Sequence, residues 1–294
     1  MTKKTSSILL GVAKALLSKS GSSSKGSASS AKGTTAAKAA APAGSGAAAI
    51  SIGGKTAEKM QFGPYNWIVL ERKGNTALLI TEGIIERGPY HNAAQGTTWE
   101  GCGLREYLNG KFLEKFDPAD QAKIIEVTNQ NPDNPWYKTM GATISAQAGG
   151  KGVKPRDAKG GNPTKDKVFL LSIDEVCRYF GDSTARLKNK GFTQQGGKTI
   201  MDKGTSLGDT TRISDKNDKN RIAIMPGALS TFRDKKDIPF RWWLRSPGEA
   251  DILAAEVNVQ GHVKITGSQI WASGTNSNDK SEMGGIRPAV WING

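Results

Sequence analysis

The side chains best able to do chemistry in this 294-residue chain are few and scattered. His91 and His262 are its two histidines, the residue type whose ordinary pKa suits general-base work near neutral pH. Cys102 and Cys177 have neither CxxC spacing nor a nearby histidine, so a zinc site is not expected. One disulfide is permitted, but two buried free thiols suit their apolar, helix-patterned surroundings better. No G-x-S-x-G, H-E-x-x-H or phosphate-loop pattern occurs. Nor does any spacing single out a carboxylate pair for glycoside hydrolysis. "SDKNDKN" at 214–220 alternates oxygen donors, yet it lacks the glycine and closing glutamate of an EF-hand loop. The chain therefore reads as non-enzymatic, with no catalytic residue, no cofactor and no dedicated metal site.

The most informative spacing lies elsewhere. "EVNVQGHVKIT" (256–266) alternates, placing Val257, Val259, Val263 and Ile265 on one side. Glu256, Asn258, His262, Lys264 and Thr266 fall on the other, with Gln260-Gly261 as a two-residue turn. Period-two alternation around such a turn predicts a half-buried β-hairpin with a polar outer face. From the pattern alone a plain solvated sheet face is the preferred reading, and a recognition surface is the alternative.

Such a hairpin needs a frame, and the preceding residues look like one. "RWWLRSPG" (241–248) sets two tryptophans between arginines and ends on a turn-forming Ser-Pro-Gly. Tryptophans supply large buried area and arginines stack on them, so this cluster reads as core rather than site. Upstream, "FGPYNWIVLE" and "TALLITE", joined through Lys73-Gly74-Asn75, predict a second hairpin. "GLREYLNGKFLEKF" carries Leu104, Tyr107, Leu108 and Phe112 at helical spacing, and Asp117-Pro118 starts a short helix ending near Ile125. "KVFLLS" (167–172) reads as a buried strand, and Ser172 with Glu175 as a capping box before "IDEVCRYF". Two Gly/Lys/Asp-rich stretches, about 139–165 and 186–220, read as long loops.

The net charge of +14 is unevenly spread. Eight lysines and no acidic residue fall between Met1 and Ala57, whereas acidic and basic residues are interleaved beyond. A basic tail without a basic, aromatic-lined groove does not point to specific nucleic-acid binding. Within the tail, "SILLGVAKALLS" (7–18) puts Leu9, Val12, Ala13, Leu16 and Leu17 on one helical face. The run is too short to span a bilayer and makes a poor secretory signal. It suits an amphipathic helix over 1–19 that docks on a partner, an export machine or a membrane surface, or one that folds only against something else. Residues 20–54, almost free of bulky apolar side chains, read as a disordered tether. The globular domain is expected over 55–294. The compartment stays open, with cell surface or secretion preferred.

"TTWEGCGLREYLNGKF", "TKDKVFLLSIDEV", "WWLRSPG", "AAEVNVQGHV" and "GGIRPAVWI" occur in that order. Together they resemble a C-type-lectin-like domain family of gut Firmicutes and their phages, some members of which look like variable proteins of diversity-generating retroelements. The resemblance covers about residues 60–294. It implies an α+β fold of C-type-lectin type: a twisted antiparallel sheet, two helices and long loops. It also implies that Trp242, Trp243, Arg245 and Arg287 are scaffold, and that the segment between the two framing motifs presents variable side chains. The ligand, a protein or a glycan, would then meet Glu249, Asp251, Glu256, Asn258, Gln260, His262, Lys264, Thr266, Ser268, Trp271, Asn276 and Asn278. Trp271 would be the aromatic anchor unless it folds back onto the core. "NPD" at 131–133 is similar to the sugar-binding tripeptide of true C-type lectins, but the paired acidic cluster is missing. Formylglycine-generating enzymes resemble the chain in architecture only, and their active-site cysteine pair is absent as a motif.

Overall fold

The computed structural model describes residues 50–134, 159–181, 212–230, 235–272 and 283–294, and the backbone of two short paired strands at 193–195 and 198–200. The expected helix over 1–19, the tether as far as Ala49, and Asn276 and Asn278 lie outside the described residues.

The packed chain reaches back to Ile50, five residues before the expected boundary. Ser51–Ile52 pairs with Lys55–Thr56, while Ile50, Ile52 and Ala57 pack against the core. The two isoleucines supply apolar area that the rest of the tether lacks.

Two six-stranded sheets follow. In the first, the hairpin of Tyr65–Lys73 and Thr76–Thr81 lies between Lys59–Phe62 and the C-terminal strand Ala289–Asn293. Val168–Phe169 and Ile124–Ile125 also pair with Ala289–Asn293, so all pairings in this sheet are antiparallel. The second runs in the order Arg212–Ile213, Val263–Gln269, Leu253–Val257, Trp242–Pro247, Gly284–Ile286, Glu86–Gly88. Its one parallel pairing joins Trp242 to Gly285. The architecture is α+β, with short helices and mostly antiparallel strands.

Local sequence chemistry explains most elements. Asp117 accepts a hydrogen bond from the Asp120 N–H (2.8 Å) and starts the helix Pro118–Lys123. That helix stops before Ile125 because Ile124–Ile125 is drawn into the sheet. The capping box forms: Ser172 Oγ accepts from the Glu175 N–H (3.2 Å), and the Glu175 carboxylate from the Ser172 N–H (2.8 Å). The helix Ile173–Phe180 then buries Ile173, Val176, Cys177 and Phe180. Only Val168–Phe169 of "KVFLLS" joins a ladder.

Two expectations need correction. The segment 103–115 is not one helix: an α-turn (Gly103–Tyr107) passes into a π-turn (Leu108–Phe112) and a 3-10 turn (Leu113–Lys115). Apolar spacing placed Leu104, Leu108 and Phe112 inward but is blind to a one-residue change in winding. The Ser-Pro-Gly after the tryptophans is not a turn at Ser246, because the strand runs on through Pro247. Ser246 Oγ accepts the Ile173 N–H (3.0 Å), tying strand to helix, and the chain reverses only at 248–253.

The framing residues are buried. Trp242 and Trp243 have no exposed surface. Their indole N–H groups donate to Arg221 O (3.0 Å) and Gly88 O (2.9 Å). The Arg287 guanidinium lies against both the Phe180 and Trp242 rings, which also touch each other, and donates to Thr81 O and Glu82 O. Burial alone pulls its pKa below the ordinary arginine value. Arg245 binds the Glu175 carboxylate and donates to Leu170 O (2.9 Å).

Candidate functional site

The hairpin of Leu253–Val257 and Val263–Gln269 sits inside the second sheet, with its apolar side chains turned down. Ile213, Val263, Val257 and Trp242 stand opposite one another and share the buried face. From Val263 to Thr266 the expected alternation holds: Val263 and Ile265 are buried, while Lys264 and Thr266 are half-exposed, and Ser268, expected in a following loop, lies half-exposed in the same strand. Asn134, itself buried, donates from its amide to Pro247 O (3.0 Å) and Ile265 O (2.8 Å), pinning this strand from the inside. Gly267 adopts φ +79° where a Cβ would meet Ala254 O at 2.6 Å, so the strand bends there without a side chain.

The turn is longer than expected. Val257 pairs with Val263, Asn258 N–H donates to His262 O (2.9 Å), and Val259-Gln260-Gly261 make a three-residue loop. Gly261 takes the left-handed position at φ +83° that such loops require. Val259 therefore leaves the apolar side and stands 42% exposed at the tip, a correction to its inward assignment. Asn258 Oδ1 accepts from Gln260 N–H and His262 N–H, both 3.0 Å, so this side chain builds the turn. His262 Nε2 lies 3.3 Å from the Asp218 carboxylate.

Glu256 is the second correction. It shares a face with Lys264 and Trp243, but that face is covered here, and Glu256 is 4% exposed and paired with Arg241. Arg241 in turn lies over the Trp243 ring, 4.8 Å from its centroid. Glu256 thus belongs to the frame, not to a ligand surface. Of the remaining candidates, Glu249 is half-buried, Asp251 exposed at the reversal, and Gln260 exposed at the tip. Trp271 is half-buried against the core and keeps part of its surface.

Residues that the pattern did not nominate also contribute. Ile252 is 40% exposed, and with Val259 it is one of two large apolar side chains so exposed among the described residues. No periodicity could have found it, because it lies in the reversal before the strand. Asp218 and Asn134 act on the hairpin from outside its sequence window.

The other chemical candidates are spent on structure. Burial pushes the Cys102 thiol up to about 12, while its sulfur accepts the Arg105 N–H (3.4 Å) at a helix start. Cys177 is also buried, and neither cysteine forms a disulfide. His91 Nδ1 accepts the Gly103 N–H (3.2 Å). In the 214–220 run, Asp215 and Asp218 face the buried Arg221 guanidinium. In "NPD", Asn131 donates to Asn162 O (2.7 Å) and Asp133 accepts the Gly160 N–H (3.1 Å). Among the described residues, no three His, Cys, Asp or Glu side chains stand where they could hold a metal ion. No helix there is long and apolar enough to cross a membrane.

This geometry predicts a split within the outer row. Replacing Lys264, Thr266 and Ser268 together by other polar residues should change stability by less than about 1 kcal/mol, since all three are half-exposed and the Lys264 ammonium donates to Ser268 Oγ (2.9 Å), within the replaced set. Asn258→Ala should cost about 1–2 kcal/mol through its two lost turn bonds. Urea unfolding of both variants measures the difference.

Comparison with known proteins gives one match. No curated protein and no solved structure matches the chain. A family described as "Domain of unknown function (DUF6273)" matches residues 74–294, which takes in the hairpin, both tryptophans and the C-terminal strand. The chain belongs to the DUF6273 family.

Proposed function

We propose that the domain is a non-enzymatic recognition module of C-type-lectin-like fold, binding a protein or glycan ligand through the outer side of the 249–271 region. The observation that carries this reading is the exposure of Ile252 and Val259. The two most exposed large apolar side chains among the described residues flank one polar hairpin, at its two ends. Exposed apolar groups beside half-exposed polar ones give a partner both area to bury and groups to bond. A backbone fixed from beneath by Val257, Val263, Ile265 and Asn134 tolerates change at Lys264, Thr266 and Ser268. That tolerance suits a surface diversified from copy to copy, as in retroelement variable proteins.

The test is a glycan array and a displayed protein library screened with the wild-type chain and with an Ile252→Ser, Val259→Ser, Lys264→Ser variant. The expected result is loss of the captured ligands with a Tm within about 4 °C of wild type. An unchanged binding profile would sink the reading. The second reading is a component of a secretion or phage assembly docked through an N-terminal helix, favoured by the lysine-rich, acid-free first 57 residues. Deleting residues 1–49 separates the two: a recognition module keeps its ligand, and an assembly component loses its placement.

A further inference from the structure

The tip of the hairpin is gripped by a segment outside it. Arg212–Ile213 pairs with Lys264 and Val263, and the chain then folds into a single helical turn, Asp218–Arg221. Arg221 is fully buried, with its guanidinium on the Asp215 and Asp218 carboxylates. Its Nε donates to Gly261 O (2.7 Å) in the three-residue loop. A Cβ on Gly261 would strike Asp218 O, so turn and loop also meet backbone to backbone.

The same turn holds the start of the packed chain. Asn220 is 6% exposed, and its Oδ1 accepts the Ser51 N–H (3.2 Å). That N–H is available because the ladder bond beside it falls at the neighbouring pair, from Ala57 N–H to Ile50 O (2.8 Å). Among the described residues, Ser51 makes no hydrogen bond to the hairpin itself.

None of these pieces is long enough to be stable alone. Ser51–Ile52 with Lys55–Thr56 is a two-stranded ribbon of two residues a side, and Asp218–Arg221 is one turn of helix. Elements so short are ordered by what they touch. Here the root and the tip touch adjacent residues, Asn220 and Arg221. Trp242 fixes the turn to the frame at Arg221 O (3.0 Å), and from there the Asn220 amide reaches the root while the Arg221 guanidinium reaches the tip.

We propose that Asp218–Arg221 is a latch through which the root at Ile50–Thr56 sets the order of the hairpin tip at Asn258–His262, with Asn220 as its positioning residue. Release of the root loosens the tip, and a ligand that orders the tip holds the root in return. As a control over binding the latch rests on the hairpin reading, but its test uses no ligand, so latch and reading can fail separately.

Amide hydrogen exchange on the full 15N-labelled chain reads the latch. The reporters are the Asn258, Gly261 and His262 amides, bonded within the tip. The Leu253 and Ile270 amides, bonded at the opposite end of the hairpin, are the reference. Ser51→Pro removes the donor of the root bond, and Asn220→Ala removes its acceptor. Each should speed exchange at the tip by about two- to tenfold, the effect of one hydrogen bond, and leave the reference amides unchanged. The double variant should do no more than the larger single change, because both remove the same bond. Ser51→Ala keeps the N–H and should match wild type. If Asn220→Ala does not fold, Ser51→Pro decides alone. Tip exchange at the wild-type rate in Ser51→Pro, equal acceleration at Leu253 and Ile270, or additive effects in the double variant would each overturn the proposal.

Discussion

Trp243→Ala is expected to destabilise the domain by ~3–5 kcal/mol. Trp243 has no exposed surface, and its ring meets Tyr90 edge-on at 5.8 Å between centroids. It also supports the Arg241 guanidinium that neutralises Glu256. Truncation opens a cavity, strands Gly88 O, and loosens a buried ion pair in one step. For a domain of this size the loss corresponds to a fall in Tm of very roughly 6–20 °C. Urea unfolding gives the number directly. A cost below about 1 kcal/mol would mean that the tryptophan pair is not the frame beneath the hairpin.

The second large effect lies at Asp166. Its carboxylate is fully buried and accepts four hydrogen bonds: from Trp99 Nε1 (3.1 Å), Asn129 Nδ2 (2.9 Å), Thr164 Oγ1 (2.7 Å) and Arg105 Nε (2.6 Å). Asp166→Ala leaves a guanidinium and three donors without their acceptor, so ~3–5 kcal/mol is expected. The same site predicts a pH dependence. Burial pushes the carboxyl up, but the bonds from Asn129, Thr164, Trp99 and Arg105 together outweigh it, and the pKa lies below the usual 3.8. A depressed acid stabilises the fold above its unfolded pKa, and that contribution is lost as pH falls through the folded value. Stability should therefore drop below about pH 4, and the drop should be shallower in Asp166→Asn. Acid titrations of the two chains at fixed urea compare the slopes, and equal slopes would remove Asp166 from the acid response.

Local chemistry makes much of the fold legible in the sequence. Ser172 and Glu175 announced a helix because a capping box needs only residues three apart, and Gly74 announced a turn because it alone accepts the left-handed backbone there. What distant segments impose was not legible. Alternation assigned Glu256 to the side of Lys264, correctly, but not the burial of that side, which depends on Arg241 and on Trp243 meeting residues about 155 positions upstream. Val259 was misplaced because the alternation was carried through a turn whose length Gly261 sets. Within the candidate site, Lys264 and Thr266 can be read from the pattern, and Gln260 from the turn it occupies. Ile252 cannot, since it lies in the reversal before the strand, where alternation does not reach.

If the hairpin is the diversified recognition surface proposed above, it changes while its frame does not, and sequence variation reports on that directly. The measurement is to sequence this gene from many independent isolates of its source and map every amino-acid difference by position. The predicted result is differences concentrated at Asp251, Ile252, Val259, Gln260, Lys264, Thr266, Ser268 and Trp271. Val257, Val263, Ile265, Asn134, Glu256, Arg241, Trp242 and Trp243 should stay fixed. Differences spread evenly over the domain, or a hairpin that never varies while the long loops do, would contradict the assignment of the hairpin as the diversified recognition surface.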